Sequence, residues 1–261
     1  MKEIEANKKA WGLIAEDHYK RFKQRLTDTT SLLNEIITEE IGDISGKKIL
    51  HLQCNTGADS ISLSRLGAKV TGVDFAKENI HYARKLAEDF NEDVRFIESD
   101  IMTLLDHHKE TYDIIFTTEG VLGWLPDLNQ WGKTISALLN PKGFFYINES
   151  HPFLMMLDEE TFTTGPMRIK YPYWNKAPDK DDIIGGYASV GKKADNYYWM
   201  YTMSDIINAL VLNGLAIDWM HENDTLGWTI GNMVEVKKGL YQHPDYKQRL
   251  PMQFSIKASH R

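Results

Sequence analysis

A glycine and an acidic residue are the first features of this chain that could bind a ligand. Gly57 follows one short apolar run, and Asp74 ends a second one. An acid about 20 residues beyond a glycine loop commonly holds the hydroxyl pair of a ribose, and the glycine lets the backbone approach the ligand closely. The spacing therefore favours a ligand that contains adenosine.

The elements that must position these two residues lie within residues 47–74, which predict a strand, a tight loop, a helix and a second strand. Residues 49–52 are an apolar run typical of a central parallel strand, and apolar side chains then recur at helical spacing over residues 58–66. Such a unit binds its ligand beyond the carboxyl ends of the strands, next to the helix N-terminus. A dinucleotide fingerprint needs three glycines, and only Gly57 is present, so one adenosine with a small tail is favoured.

The same stretch resembles the first motif of the class I S-adenosylmethionine-dependent methyltransferases, which reads as an apolar strand, an acid and a Gly-x-Gly-x-Gly loop. Here His51 stands in the place of the acid, Gln53 and Asn55 stand in the places of the first two glycines, and Gly57 matches the third. We expect the amides of Gln53 and Asn55 to replace the usual contacts to the methionine end of the cofactor with hydrogen bonds. A nucleotide-binding unit without methyl transfer is the alternative interpretation.

The resemblance implies further cofactor contacts at the ends of the following strands. A third predicted strand, residues 94–98, leads to Asp100 and Ile101, where the family places an acid for the adenine amino group and an apolar neighbour for the ring. An exocyclic amine is a donor that needs an acceptor, and the ring faces need apolar contact. The predicted cofactor-binding residues are Gln53, Asn55, Gly57, Asp74, Phe75, Asp100, Ile101 and Glu119.

Candidate catalytic and substrate-binding residues follow the fourth and fifth predicted strands. Trp124 is a candidate wall of the methyl-donor pocket, because an aromatic face stabilises a sulfonium cation; core packing is the alternative. A base is needed only if the acceptor is a poorly acidic hydroxyl or a charged amine. His151 is the candidate base and substrate contact, with a hydrogen bond that orders its own turn as the alternative. Glu119 suits a cofactor or structural contact better than a proton transfer, and Cys54 lacks an evident partner base.

The order of predicted elements indicates an α/β fold: a Rossmann-like, seven-stranded, mostly parallel sheet with helices on both faces. Residues 1–42 predict an N-terminal helical cap, in which Tyr19 is a candidate substrate contact. Residues 43–150 and 202–261 predict the cofactor-binding core. Residues 151–201 are rich in aromatic residues and turn signals, which predicts a β-rich insertion that covers the substrate; a dimerisation surface is the alternative.

Composition limits the classes of partner. The 261 residues are 42% hydrophobic and 26% charged, as in soluble globular proteins, and a net charge of −7 argues against nucleic acid. Neither a membrane-length apolar run nor a secretory signal is evident, and a single cysteine favours the reducing cytoplasm. We expect a small-molecule acceptor, no membrane or metal partner, and a monomer or homodimer.

These features together predict a cytoplasmic methyltransferase with S-adenosylmethionine as its cofactor and a small molecule as its acceptor. Oxygen, nitrogen, sulfur and carbon acceptors are all compatible with the aromatic-rich insertion. A non-catalytic module that binds the cofactor is the alternative, because the first motif is irregular. A nicotinamide-dependent oxidoreductase is disfavoured by the missing glycines.

Overall fold

The computed structural model of the chain describes residues 2–186 and 188–261. Met1 and Tyr187, one of the aromatic residues of the predicted insertion, lie outside the described residues. The helices are α1 (Lys2–Thr27), α2 (Glu35–Ile41), α3 (Ala58–Arg65), α4 (Lys77–Phe90), α5 (Leu128–Leu138), α6 (Pro152–Met155) and α7 (Met203–Val211). The strands are β1 (Lys48–Leu52), β2 (Lys69–Asp74), β3 (Val94–Glu98), β4 (Tyr112–Thr118), β5 (Leu139–Ser150), β6 (Asp179–Gly186), β7 (Ser189–Tyr198), β8 (Leu215–Asn223), β9 (Val234–Lys237), β10 (Leu240–Gln242) and β11 (Gln253–His260).

Seven of these strands form one sheet, in the order β3-β2-β1-β4-β5-β11-β8. The first five strands of the chain are parallel, and β11 runs antiparallel to both of its neighbours, β5 and β8. Strands β1, β2 and β4 are buried along nearly their whole length, as expected where helices cover both faces of a parallel sheet. The predicted fold class is confirmed.

Two apolar layers hold the helices against this sheet. Helices α5 and α7 bury Trp131 and Leu210 on one face, where Trp131 packs edge-on against Phe145 of β5. Helices α1 to α4 cover the opposite face, with Ile61 and Phe116 among the side chains that are fully buried there. Because each layer pins helix N-termini and connecting loops at the carboxyl edge of the sheet, the loops after β1 to β5 converge there.

Residues 140–143 form an irregular stretch within β5. Their sequence, Asn-Pro-Lys-Gly, is typical of a turn that ends a helix, but the structure places them in the strand as a bulge. Tyr112 pairs with Leu139 and Ile114 pairs with Phe144, so the register between β4 and β5 shifts across this stretch. Gly143 permits the shift, because a Cβ atom there would lie 2.6 Å from the carbonyl oxygen of Asp113.

The first helix and the β6–β7 hairpin are joined to each other above the carboxyl edge of the sheet. The amide nitrogen of Asn7 donates to the carbonyl oxygen of Tyr197 (2.8 Å), and the backbone N–H of Tyr197 donates back to Asn7 Oδ1 (2.7 Å). Lys192 of the hairpin forms an ion pair of 2.7 Å with Asp17 of α1. The two segments therefore form one cover, although the division of the chain into domains stays a prediction.

Membrane crossing by a helix is not supported in the part of the chain that the structure describes. None of the helices there is both long enough and apolar enough to span a bilayer.

Candidate active site

A cavity of about 880 Å³ opens at the carboxyl edge of the sheet, under the cover formed by α1 and the β6–β7 hairpin. Its floor consists of the loops that follow β1, β2, β3 and β4, and the loop between β8 and β9 closes one side through Gly227 and Trp228. This position is where parallel α/β sheets bind ligands, and the volume lies within the range of small-molecule sites.

The loop after β1 has a left-handed backbone at Gln53 and Asn55, the two positions at which the family motif has glycine. Gln53, Asn55 and Gly57 all have left-handed backbone conformations, with φ values of 54°, 51° and 80°. A non-glycine residue in this region costs about 1–2 kcal/mol. The loop therefore holds two amide side chains at positions whose backbone conformation favours glycine.

Those amides are used in different ways. Gln53 Nε2 donates to the carbonyl oxygen of Val121 (3.0 Å), whereas Gln53 Oε1 is buried without a hydrogen-bond partner among residues 2–186 and 188–261. Asn55 Oδ1 accepts from the N–H of Thr56 (2.6 Å), and its Nδ2 lies 3.2 Å from His18 Nδ1. Both residues line the cavity, and in the described part of the chain it is the amide oxygen of Gln53 that is left without a donor.

Two predicted loop residues contribute by packing and not by charge. Gly57 caps α3 behind the cavity wall, and a Cβ atom there would lie 2.8 Å from the ring of Phe96. His51 lines the cavity, and its Nδ1 lies 2.8 Å from Ser60 Oγ. Burial lowers the pKa of His51 to about 3, so its imidazole is neutral and does not replace the negative charge of the family's acid.

Asp74 ends β2 as a buried carboxylate that faces the cavity. Its Oδ2 accepts from the N–H of Asn55 (2.9 Å), and its Oδ1 accepts from the N–H of Ala76 (2.9 Å) and from Asn79 Nδ2 (3.0 Å). Burial raises the pKa of Asp74 to about 6, and these donors oppose the rise. Each carboxylate oxygen can accept further hydrogen bonds, so the group can still receive hydroxyls from a ligand.

The loop after β3 brings the second predicted acid into the same cavity. Asp100 accepts from the N–H of Met102 through Oδ1 (2.9 Å), and both Asp100 and the buried Ile101 line the wall. Phe75, which follows Asp74, lines it as well. The structure thus places one acid after each of two neighbouring strands, with apolar side chains beside them.

Glu119, after β4, lies among other acidic groups. Its carboxylate accepts from the N–H of Gly227, and Asn34 Nδ2 approaches Oε1 at 3.5 Å. Burial, together with the charges of Glu149 and Asp59, raises the pKa of Glu119 to about 8. At neutral pH this carboxyl group is therefore mostly protonated.

Glu149, at the end of β5, shapes the loop that carries Glu119. Its carboxylate accepts from the N–H groups of Gly120, Val121 (2.7 Å) and Leu122 (3.1 Å). Three backbone donors fix the path of this loop next to the cavity. Sequence reasoning did not find this role, since only the fold brings residue 149 against residues 120–122.

An aromatic group forms the roof on the side of the cover. Trp124 makes edge-to-face contacts with Trp11 (ring centroids 5.1 Å apart) and with Tyr198 (5.3 Å), and all three side chains line the cavity. The two interpretations of Trp124 are therefore compatible, because the ring packs against its neighbours and also faces the cavity.

The positions of Tyr19 and His151 do not support their predicted roles. The Tyr19 hydroxyl donates to Asp89, and its ring stacks on Tyr82 at 5.2 Å, where α1 packs against α4. His151 Nδ1 accepts from the N–H of Phe153 (3.0 Å) and caps α6, and its Nε2 lies 3.0 Å from Glu222. Neither side chain lines the cavity. His151 orders its own turn, which was the alternative interpretation.

Several residues of the cavity wall were missed in the sequence. Arg21 and Arg25 reach the cavity from α1, Asp59 reaches it from the first turn of α3, and Ser150 reaches it from the end of β5. The spacing of the two arginines predicts one helix face, but the sequence holds no signal that this face is turned to the ligand.

The sequence comparisons agree with this geometry over part of the chain. Residues 49–143 match the family model described as "Methyltransferase domain". The ubiquinone biosynthesis O-methyltransferase of Aeromonas salmonicida is 32% identical over 128 residues, which are 46% of this chain and 52% of that protein. The same enzyme of Vibrio campbellii is 31% identical over 115 residues, 43% of this chain and 47% of that protein. The chain spans about half the length of these curated relatives.

Comparison with solved structures supports the fold over nearly the whole chain. A S-adenosylmethionine-dependent methyltransferase from Clostridium acetobutylicum superimposes with a TM-score of 0.57 at 14% identity, covering 93% of this chain and 92% of that one. A SAM-dependent methyltransferase from Methanosarcina mazei gives a TM-score of 0.59 at 16% identity, covering 87% and 98%. The chain thus contains a segment, residues 49–143, that is similar to a methyltransferase domain, and it shares its fold with these two solved structures.

Proposed function

We propose that this chain transfers the methyl group of S-adenosylmethionine to a small molecule bound under the cover formed by α1 and the β6–β7 hairpin. One observation carries the proposal: Asp74 and Asp100, which end neighbouring strands, line one cavity together with the left-handed loop after β1. Two carboxylates in these places suit the ribose hydroxyls and the adenine amino group of a single adenosine.

The other wall residues suit the methionine end of the cofactor. The unpartnered Oε1 of Gln53 is an acceptor for its ammonium group, and Arg21 and Arg25 are donors for its carboxylate. Trp11 and Trp124 offer aromatic surface, which stabilises a sulfonium cation. When bound, the cofactor supplies a methyl group that is activated by positively charged sulfur.

The contribution of the protein is then orientation and exclusion of water. Hydrogen bonds between Asn7 of α1 and Tyr197 of the hairpin hold the two parts of the cover together. Glu149 accepts hydrogen bonds from the loop after β4 and fixes its position. Fixing both reactants under a closed cover raises their effective concentration, which supplies much of the rate in a direct displacement. The relatives match less than half of this chain, so their oxygen acceptors are not carried over to it.

Calorimetry with S-adenosylmethionine and S-adenosylhomocysteine tests the proposal on the full chain. Asp74→Asn and Asp100→Asn should each weaken binding about tenfold or more, since hydrogen bonds to a charged group contribute about 1.5–3 kcal/mol. Asp106→Asn is the matched control, because Asp106 is exposed and lies outside the cavity wall. If neither ligand binds the wild-type chain, the proposal is wrong.

Turnover is measured separately, as release of S-adenosylhomocysteine with a panel of phenols, alcohols, amines, thiols and carboxylates. Release of S-adenosylhomocysteine that depends on one class of acceptor supports the proposed methyl transfer. Cofactor binding without release across the panel would instead support the non-catalytic module.

A further inference from the structure

We propose that the acceptor carries an amine nitrogen, and that this nitrogen binds between the carboxyl groups of Asp59 and Glu119. The inference rests on the proposed methyl transfer and names the acceptor class for the same cavity. It is carried by two carboxyl groups that form no ion pair among the described residues, by a buried serine hydroxyl that lines the same cavity without a hydrogen-bond partner there, and by the balance of charge along the wall.

The two carboxyl groups reach the cavity from neighbouring elements. Asp59 lies in the first turn of α3, and its Oδ2 accepts from Thr118 Oγ1 at 2.9 Å. Glu119 follows Thr118 directly, and the negative charge of Asp59 acts on it. Both carboxyl groups are half-buried and line the cavity, and neither forms an ion pair within the described ranges 2–186 and 188–261. Arg25 influences Asp59 through its charge alone.

Ser150 is an independent indication of a ligand at this place. Its side chain is 6% exposed and lines the same cavity, yet its Oγ has no hydrogen-bond partner in the part of the chain that the structure describes. Buried polar atoms are nearly always paired in folded proteins, so the hydroxyl of Ser150 indicates a polar group of a ligand at this wall.

The charge along the wall favours a cation over an anion as the acceptor. Seven carboxylates line the cavity: Asp59, Asp74, Asp100, Glu119, Glu159, Asp179 and Asp181. The basic side chains of the wall are Arg21, Arg25 and Lys180, and Lys180 is held by Asp195 at 2.8 Å. Asp74 and Asp100 are assigned to the adenosine, the arginines to the methionine carboxylate, and Glu119 is mostly protonated at neutral pH. The four remaining carboxyl groups of the wall still outnumber Lys180, so an excess of negative charge remains. Such a field concentrates cations and repels anions.

The same arrangement suits the chemistry of an amine. An ammonium group must lose a proton before its nitrogen can attack. Glu119 can accept that proton in its ionised form, which becomes more populated as the pH rises towards its pKa of about 8. The nitrogen lone pair then forms the new bond to the methyl carbon while the carbon–sulfur bond breaks, and its electron pair passes to sulfur. Buried and close to Glu149 and Asp59, Glu119 is a stronger base than an ordinary carboxylate.

The experiment compares three probes of nearly equal shape: 2-phenylethylamine, 2-phenylethanol and phenylacetate. Each is titrated into the full chain saturated with S-adenosylhomocysteine, and binding is measured by calorimetry. We expect the amine to bind about tenfold or more tightly than the alcohol, and the carboxylate to bind weakest. This comparison uses the wild-type chain and needs no variant to fold.

Variants then assign the preference to the site. Asp59→Asn and Glu119→Gln should each reduce the ratio of amine affinity to alcohol affinity by about threefold to tenfold. Ser150→Ala should weaken binding of the amine and should not strengthen binding of phenylacetate. Glu88→Gln is the matched control, since Glu88 is exposed on α4 and lies outside the cavity wall.

The outcomes separate this inference from the proposed function. Equal affinities for amine and alcohol, tightest binding of the carboxylate, no saturable amine binding, or an unchanged preference in both carboxyl variants would each overturn the amine assignment. S-adenosylhomocysteine would still bind in all of those cases if the proposed function holds. Failure of S-adenosylhomocysteine to bind would overturn the proposed function itself.

Discussion

Replacing Gln53 by glycine restores the residue that the family uses, and the structure lets us estimate what should change. Gln53 has a φ of 54°. Glycine relieves about 1–2 kcal/mol of backbone strain. Against this, the variant loses the hydrogen bond to Val121 (3.0 Å), which contributes about 0.5–1.5 kcal/mol, and glycine adds about 0.5–1 kcal/mol of chain entropy to the unfolded state. These effects offset one another, so the free energy of unfolding should change by about 1 kcal/mol or less.

Cofactor binding should respond far more than stability does. The unpartnered Gln53 Oε1 is the acceptor that we assign to the ammonium group of the cofactor. A hydrogen bond to a charged donor contributes about 1.5–3 kcal/mol, so Gln53→Gly should raise the Kd for S-adenosylhomocysteine about tenfold to a hundredfold. Urea denaturation and calorimetry on the same preparation measure the two quantities together.

Gln248 supplies a matched control within the chain. It is also a non-glycine residue with a left-handed backbone (φ 57°), but it is exposed and lies outside the cavity wall. Gln248→Gly should change the Kd by less than about twofold. The reasoning is refuted if Gln53→Gly binds S-adenosylhomocysteine as tightly as the wild type, because the amide would then be only a tolerated substitute for glycine.

Three further predictions follow from the raised pKa values and from the cover. Because the pKa of Asp74 is about 6, its carboxylate becomes protonated as the pH falls below 6, and the affinity for S-adenosylhomocysteine should fall about tenfold per pH unit there. Calorimetry between pH 4.5 and 7.5 measures this dependence, and Asp74→Asn should make the affinity independent of pH over that range. The pKa of Glu119 is raised from 4.5 to about 8, so the unfolded state ionises first and stability falls as the pH rises between these values. Glu119→Gln should therefore gain Tm relative to the wild type as the pH rises from 5 to 8.5, whereas Glu88→Gln should show no such trend. Asn7→Ala removes both hydrogen bonds to Tyr197, at about 1–3 kcal/mol, and should speed hydrogen exchange in β7 while β4 keeps its protection.

The fold was largely predictable because its determinants are local. Apolar runs of strand length, helix caps and their order along the chain are sufficient to predict a doubly wound sheet. A cap of this local kind is the capping box that Thr202 and Asp205 form at the start of α7. Residues that end parallel strands must meet at one edge of the sheet, so the positions of Asp74 and Asp100 could be predicted without coordinates.

Tertiary structure decided the remainder of the site, because those residues meet only through packing of distant segments. His151 and Tyr19 have the right residue types, but neighbours far away in sequence, Glu222 and Asp89, hold them outside the cavity. Arg21 on α1 lines the cavity only because α1 packs beside the sheet and against the hairpin. A periodic pattern shows which face of an element is buried, but not which other element covers it. The sequence alone therefore determined that Asp74 and Asp100 lie at one edge of the sheet, and the three-dimensional fold determined which distant side chains complete the cavity wall.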